Sequence, residues 1–142
     1  MALASEIADA VVAELNATPL NLPLTAGRVF VPAFALQNMQ NLRVSVVPRT
    51  VEVTAGTRHR NIYDVEVDVA VQKKFASGSA AEIDPLLTLV DEIADFFRLR
   101  SLTEYPSAHW IRTEYRSLCA QEHWDELRQF TSVLTLTFRV VR

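Results

Sequence analysis

The sequence predicts an α+β fold, a mostly antiparallel sheet of about four to five strands with an N-terminal helix and a second helix over about 84–99 packed against it. Two stretches, 62–72 and 130–140, alternate apolar and polar residues at the two-residue period of a pleated strand. A third, 86–97, repeats its apolar residues every three or four positions, which is the period of a helix that covers a sheet. The chain has 142 residues, 49% of them hydrophobic, with three Gly and six Pro, so one domain spanning 1–142 can build a core.

The elements follow in order. Ser5 is placed to cap a first helix, with Glu6 and Asp9 in its opening turn and Ile7, Val11 and Leu15 on one stripe. Asn16 and the extended TPLNLPL stretch, with Pro19 and Pro23, break that pattern and lead through Gly27 to a short apolar segment at 29–31. A connector this apolar is expected to lie against something. After Pro32 and a polar turn at 37–41, LRVSVVP places Leu42, Val44 and Val46 on one face of a strand, and Arg43 and Ser45 on the other. In 62–72, Tyr63, Val65, Val67, Val69 and Val71 form a core face, and Asp64, Glu66 and Asp68 an acidic one. Between these strands, which are expected to pair antiparallel, Ala55-Gly56 reads as a turn signal, giving an extended hairpin or arm at about 49–61 that carries Arg58, His59 and Arg60.

A small, polar loop after Phe75 ends at Asp84-Pro85, read as an N-cap and first helical residue. Leu86, Leu89, Val90, Ile93, Phe96 and Phe97 then form the buried stripe, and Arg98 and Arg100 oppose the negative end of the macrodipole. The stretch 101–126 has no sustained period and reads mostly as loop, with a short strand around 110–115. The closing FTSVLTLTFRVVR puts Phe130, Ser132, Leu134, Leu136, Phe138 and Val140 on one side, and Thr131, Thr135, Thr137 and Arg139 on the other.

Charge and motifs narrow the function. With 14 basic against 17 acidic residues and a net charge of −3, coating nucleic acid is not the main task. The charge divides as +1 over 1–61, −4 over 62–100 and 0 over 101–142, so acidity concentrates in the middle third. A mean hydropathy of +0.10 is apolar for so small a domain and suggests surface covered by a partner. Twelve of the 14 basic residues are Arg, which favours forked contacts to carboxylates at interfaces. Cys119 is the only cysteine, so no intrachain disulfide forms, and neither a secretory leader nor a membrane span is read in the sequence. A soluble protein is expected.

Catalytic signatures are missing: there is no glycine-rich phosphate loop, no Cys-x-x-Cys, no His-Glu-x-x-His and no Gly-x-Ser-x-Gly. No enzyme activity, cofactor or metal is expected. Cys119 and His123 at helical spacing, with His109 nearby and Glu122 or Asp125 to complete a set, are the one arrangement that would suit a thiolate–imidazole pair or a metal. A buried, inert cysteine is the plainer reading. Trp110, Tyr115 and Trp124 read as core or interface anchors. Arg49, Arg58, His59 and Arg60 on the hairpin, with Asp64, Glu66 and Asp68 on the strand, are the residues expected at a subunit interface or lumen.

Four pieces in this order, RVFVPAFALQNMQNLRVSVVPRT, RHRNIYDVEVDVAVQKKF, EIDPLLTLVDEIADFF and FTSVLTLTFRVVR, resemble the small tail-terminator and tail-completion proteins of long-tailed bacteriophages, a head–tail joining family. The resemblance covers most of the chain and lies in hydrophobic pattern and element order. It implies a structural virion subunit at the head–tail junction, made in the host cytoplasm, that assembles into a ring, typically a hexamer. Such a ring caps the tail tube, ends its polymerisation and offers the docking surface for the head, and DNA later passes through its lumen. Its implied partners are further copies of itself, the tail tube protein and a head-side connector protein. The arm at 51–60 is then expected to face the lumen or the tube. A head-side completion or stopper adaptor is the alternative in the same particle, and a small enzyme or ligand-binding domain using Cys119 is the third reading.

Overall fold

A computed structural model describes residues 2–30 and 42–142. The chain runs α1 (Leu3–Ala17), β1 (Ala26–Arg28), β2 (Arg43–Thr57), β3 (Arg60–Lys74), α2 (Ala80–Phe97), β4 (His109–Ser117), α3 (Gln121–Leu127) and β5 (Gln129–Val141). The five strands form one sheet in the order β1-β2-β3-β5-β4. Every pairing is antiparallel except β1 with β2, so the mostly antiparallel α+β reading holds. The polar turn read at 37–41, with Pro32, lies outside the described residues.

One face of the sheet is the core. Val44 and Val46 of β2, Val65, Val67, Val69 and Val71 of β3, and Phe130, Leu134, Leu136, Phe138 and Val140 of β5 are essentially inaccessible. Ile7, Val11 and Leu15 of α1 and Leu86, Leu89, Val90, Ile93 and Phe97 of α2 join them in one buried cluster. Phe97 meets Phe138 edge to face at 6.1 Å, which locks α2 over β5. Leu20, Leu22 and Leu24 of the proline-bearing connector pack against the same cluster. Asn16 fixes where that connector returns: its Nδ2 donates to the Ala26 carbonyl at 3.2 Å, and its Oδ1 accepts from Ala26 N–H at 2.8 Å, as a strand neighbour would. Glu14, nearly buried, accepts the Thr103 N–H at 2.6 Å and ties α1 to the chain after α2.

The structure moves several boundaries. α1 starts at Leu3 with Ala2 as an uncapped N-terminus, so Ser5 lies inside the helix instead of capping it. α2 begins at Ala80 behind Ser79, and Asp84-Pro85 falls inside it. The signal was Ser79-x-x-Glu82, the spacing of a capping box. Here the Glu82 carboxylate reaches past the cap to the N–H groups of Ala76 (2.6 Å) and Ser77 (3.1 Å), which hold it below the usual carboxylate range. The last turn of α2 contains no basic residue: Arg98 is the cap, and the Arg100 guanidinium lies 4.2 Å over the Phe96 ring. The 101–126 stretch is more regular than its sequence suggests, holding all of β4 and most of α3. Gly78 adopts φ +70, where a side chain would also press on the Phe75 and Trp124 rings at 3.1 Å.

Candidate functional site

The second face of the sheet carries the charges. Period two places Asp64, Glu66 and Asp68 of β3 on the side opposite the valines, with their carboxylates partly exposed. Register then decides their neighbours. Asp64 stands opposite Arg139 of β5, which donates from Nε at 2.8 Å and Nη2 at 3.0 Å. This two-pronged contact holds the Asp64 carboxyl below its ordinary value and raises that of Arg139. Glu66 accepts from Arg112 of β4 at 3.3 Å and lies 3.9 Å from Arg49 of β2, which is equally 3.9 Å from Asp68. Asp68 accepts the Thr135 hydroxyl at 2.6 Å, and Thr135 in turn accepts Arg116 Nε at 2.8 Å. Arg116 also pairs with Glu114 at 3.6 Å.

Of the sequence-predicted residues, the structure therefore brings Arg49, Glu66 and Asp68 together and gives Asp64 to Arg139. Arg58, His59 and Arg60 lie apart from this lattice, at the end of the β2–β3 hairpin. Arg112, Arg116, Arg139 and Glu114 are the residues that sequence reasoning missed, because it gave no register to β4 and did not place β5 between β3 and β4.

The hairpin has two halves. From Arg43 to Val47, β2 lies under α1 and beside β1. From 49 to 61 every residue of both strands is exposed. The reversal is a two-residue turn at Arg58-His59, joining Thr57 to Arg60. Ala55-Gly56 is therefore not the turn. The register shifts between Ala55 and Thr57, and a Cβ on Gly56 would stand 2.9 Å from the Arg60 carbonyl, so the glycine serves a bulge that twists the arm. β5 flanks the β3 strand of the arm almost to the reversal, up to Asn61, which exchanges two backbone hydrogen bonds with Arg142 at 2.7 and 3.0 Å. Val51 and Val53 stand opposite Val65 and Tyr63 on the core face of the sheet, yet on the outer strand they are exposed.

The cysteine region does not assemble as a helical pair. Cys119 precedes α3, so it does not share a helix turn with His123. His123 Nδ1 is 2.8 Å from the Thr131 hydroxyl, and His109 Nδ1 is 2.7 Å from that of Ser101. Cys119 is exposed, so the reading of a buried cysteine does not hold; partial desolvation nonetheless pushes its thiol up, away from the thiolate a nucleophile or ligand needs. Among the described residues no three His, Cys, Asp or Glu are grouped to hold a metal ion, and no helix is long and apolar enough to cross a membrane.

No family model matches the chain, and no curated protein matches it in sequence. Among solved structures, the fold is similar to the PVC sheath/tube terminator of an extracellular contractile injection system, in its extended state. The TM-score is 0.50 at 13% sequence identity, and the match covers 100% of this chain and 57% of that one. This is a likeness of fold, and the chain spans little more than half the length of the protein it matches.

Proposed function

We propose that the chain is the ring-forming terminator subunit of a long tail, in a bacteriophage or a related contractile particle. The observation that carries this reading is the fold shared over the whole chain with a sheath/tube terminator. The reading gives the ring, typically six copies, the tasks of capping the tube, stopping its growth and presenting the surface on which the head-side connector docks, with DNA passing through the lumen. It is a structural role, and the chain does its work by binding.

The geometry supports a division of labour for that role. The arginine–carboxylate lattice on the open face is largely satisfied within the subunit, so it holds the sheet's shape more than it offers free charge. Arg58, His59 and Arg60 at the exposed hairpin end suit contact with a tube subunit, a neighbouring copy or passing DNA.

Light scattering of the purified protein over a concentration series, followed by negative-stain images after mixing with tail tubes, tests the reading. Rings, or a cap at one tube end, support it. A protein that ignores tubes and binds portal complexes is a head-side adaptor instead.

A further inference from the structure

The two outer edges of the sheet are both unpaired over most of their length. β1 covers β2 only from Val44 to Val46, with Val29 N–H adding one bond to the Val46 carbonyl at 2.9 Å. Among the described residues nothing pairs with the outer edge of β2 from there to Thr57. At the other side, β4 is bridged at Ser101 and His109, and Trp110 N–H reaches the Arg100 carbonyl at 2.9 Å. From Ile111 to Ser117 its outer edge has no partner among the described residues. Natural edges are blunted by lysine and other charges, proline, bulges or a covering element. Neither 51–57 nor 111–117 contains a lysine or a proline, and their bulges, at Gly56, Ile111 and Arg116, leave Glu52–Ala55 and Arg112–Tyr115 in regular pairing.

We infer that the free edge of β2, at 51–57, takes the free edge of β4, at 111–117, from a second copy of this chain, so that the sheet continues from subunit to subunit. This rests on the ring reading above and supplies its interface. The strand directions allow it. β2 opposes β3, β3 opposes β5 and β5 opposes β4, so β2 and β4 run oppositely, and copies placed side by side in the same sense meet as an antiparallel pair. The contact is heterologous, with one edge of each kind per copy, which is the geometry that builds rings.

The side chains select one register. Val53 is 53% exposed and Tyr115 42% exposed, and both point to the helix-covered side of their sheets. Setting Val53 opposite Tyr115 of the next copy matches a β-branched residue with an aromatic one across the strands. The same register sets Glu52 opposite Arg116 on the charged side and Thr57 opposite Ile111. Moving by two residues, so that Val51 faces Tyr115, would set Glu52 against Glu114, which like charges disfavour.

The register also has the right slope. Within one subunit the β2 residue level with Tyr115 is Val46, through Leu134 and Val69, so the next copy is displaced along the strands by about six paired positions, roughly 20 Å at the strand rise. From one β2 to the next the repeat is four strands, β2-β3-β5-β4, about 19 Å wide, so this is a tilt of about 46°, close to the upper end of the range at which sheets close into barrels.

Single-cysteine proteins test the pairing in a Cys119→Ser background. Val53→Cys and Tyr115→Cys proteins, mixed and oxidised, are expected to give a covalent dimer, because directly opposed Cα atoms lie within disulfide reach. Neither protein alone is expected to cross-link. As a second line that does not alter the apolar pair, Glu52→Arg and Arg116→Glu should each weaken self-association roughly tenfold, and together restore it. Cross-linking of the Val53→Cys protein with itself, rings without mixed cross-links, or a chain that stays monomeric even on tubes overturns the inference. Capped tubes without the mixed dimer leave the terminator reading standing and remove the edge pairing. Mixed dimers from rings that ignore tubes do the reverse.

Discussion

The outer half of β2 and the strand β3 beside it have the same local architecture and opposite circumstances. In β3, flanked by β2 and β5, Val65, Val67, Val69 and Val71 alternate with polar residues and are sealed in one cluster with α1 and α2. Directly across from Val65 and Tyr63, Val51 and Val53 of β2 lie on the same side of the sheet and stand exposed. Strand pairing fixes conformation in both. Only β3 gains the burial that stabilises a domain, since area removed from water is what counts. The exposed half therefore contributes little to the fold of the isolated chain, and its apolar residues gain their burial only against something else. Substitutions should separate the two cleanly.

The largest effect is expected from Val67→Asp, which places an unpaired charge at a position with no solvent access. Such burial costs several kcal/mol, comparable with the whole stability of a domain, so the variant should fail to give a cooperative melt by circular dichroism. Leu136→Ala at the equally buried centre of β5 should fold but lose about 2–5 kcal/mol in denaturant titration. At the exposed hairpin end, Arg58→Glu with Arg60→Glu should leave the unfolding free energy within about 0.5 kcal/mol of wild type while weakening ring or tube binding. Unimpaired assembly by that variant would remove the arm's role.

Two titrations sharpen the contrast between the charged face and the helix side. The carboxyl of Asp64 is held down by Arg139, so its contribution to stability is present above the ordinary carboxylate pKa of about 4 and is lost as pH falls through the depressed folded value. Asp64→Asn should therefore narrow the stability difference between neutral and strongly acidic solution by a small amount. The Tyr115 hydroxyl is pushed up to about 12, chiefly by burial, and then by its 2.7 Å hydrogen bond to Asp91 of α2. Its contribution is complete below the unfolded pKa of about 10 and disappears as pH rises through about 12. Ultraviolet titration should show one late phenolate, absent in Tyr115→Phe.

The residues show how far the sequence carried the structure. β3 and β5 were legible because burial on one side and polarity on the other leave an alternation that nothing else produces. Leu86 to Phe97 was legible by the same logic at the helical period. β4 left only a short trace, since it is an edge strand with most of its residues exposed, and exposure imposes no alternation. α3 is seven residues long, too short for a period to show. The acidic row Asp64, Glu66 and Asp68 could be read from β3 alone, but its partners Arg112, Arg116 and Arg139 depend on β5 inserting between β3 and β4. That order is a tertiary outcome. The hairpin turn was misplaced for a local reason: Ala55-Gly56 has turn chemistry, and the glycine is used for a bulge, while Arg58-His59 makes the reversal.

The most direct test of the account is tube elongation. Tube subunits are supplied to growing tail tubes, with wild-type protein in one reaction and the Arg58→Glu, Arg60→Glu variant in another, and tube lengths are measured by negative-stain microscopy. The account predicts that wild type stops growth and leaves a cap at one end, and that the folded variant caps fewer tubes. Tubes that lengthen at the same rate with and without the wild-type protein would contradict it.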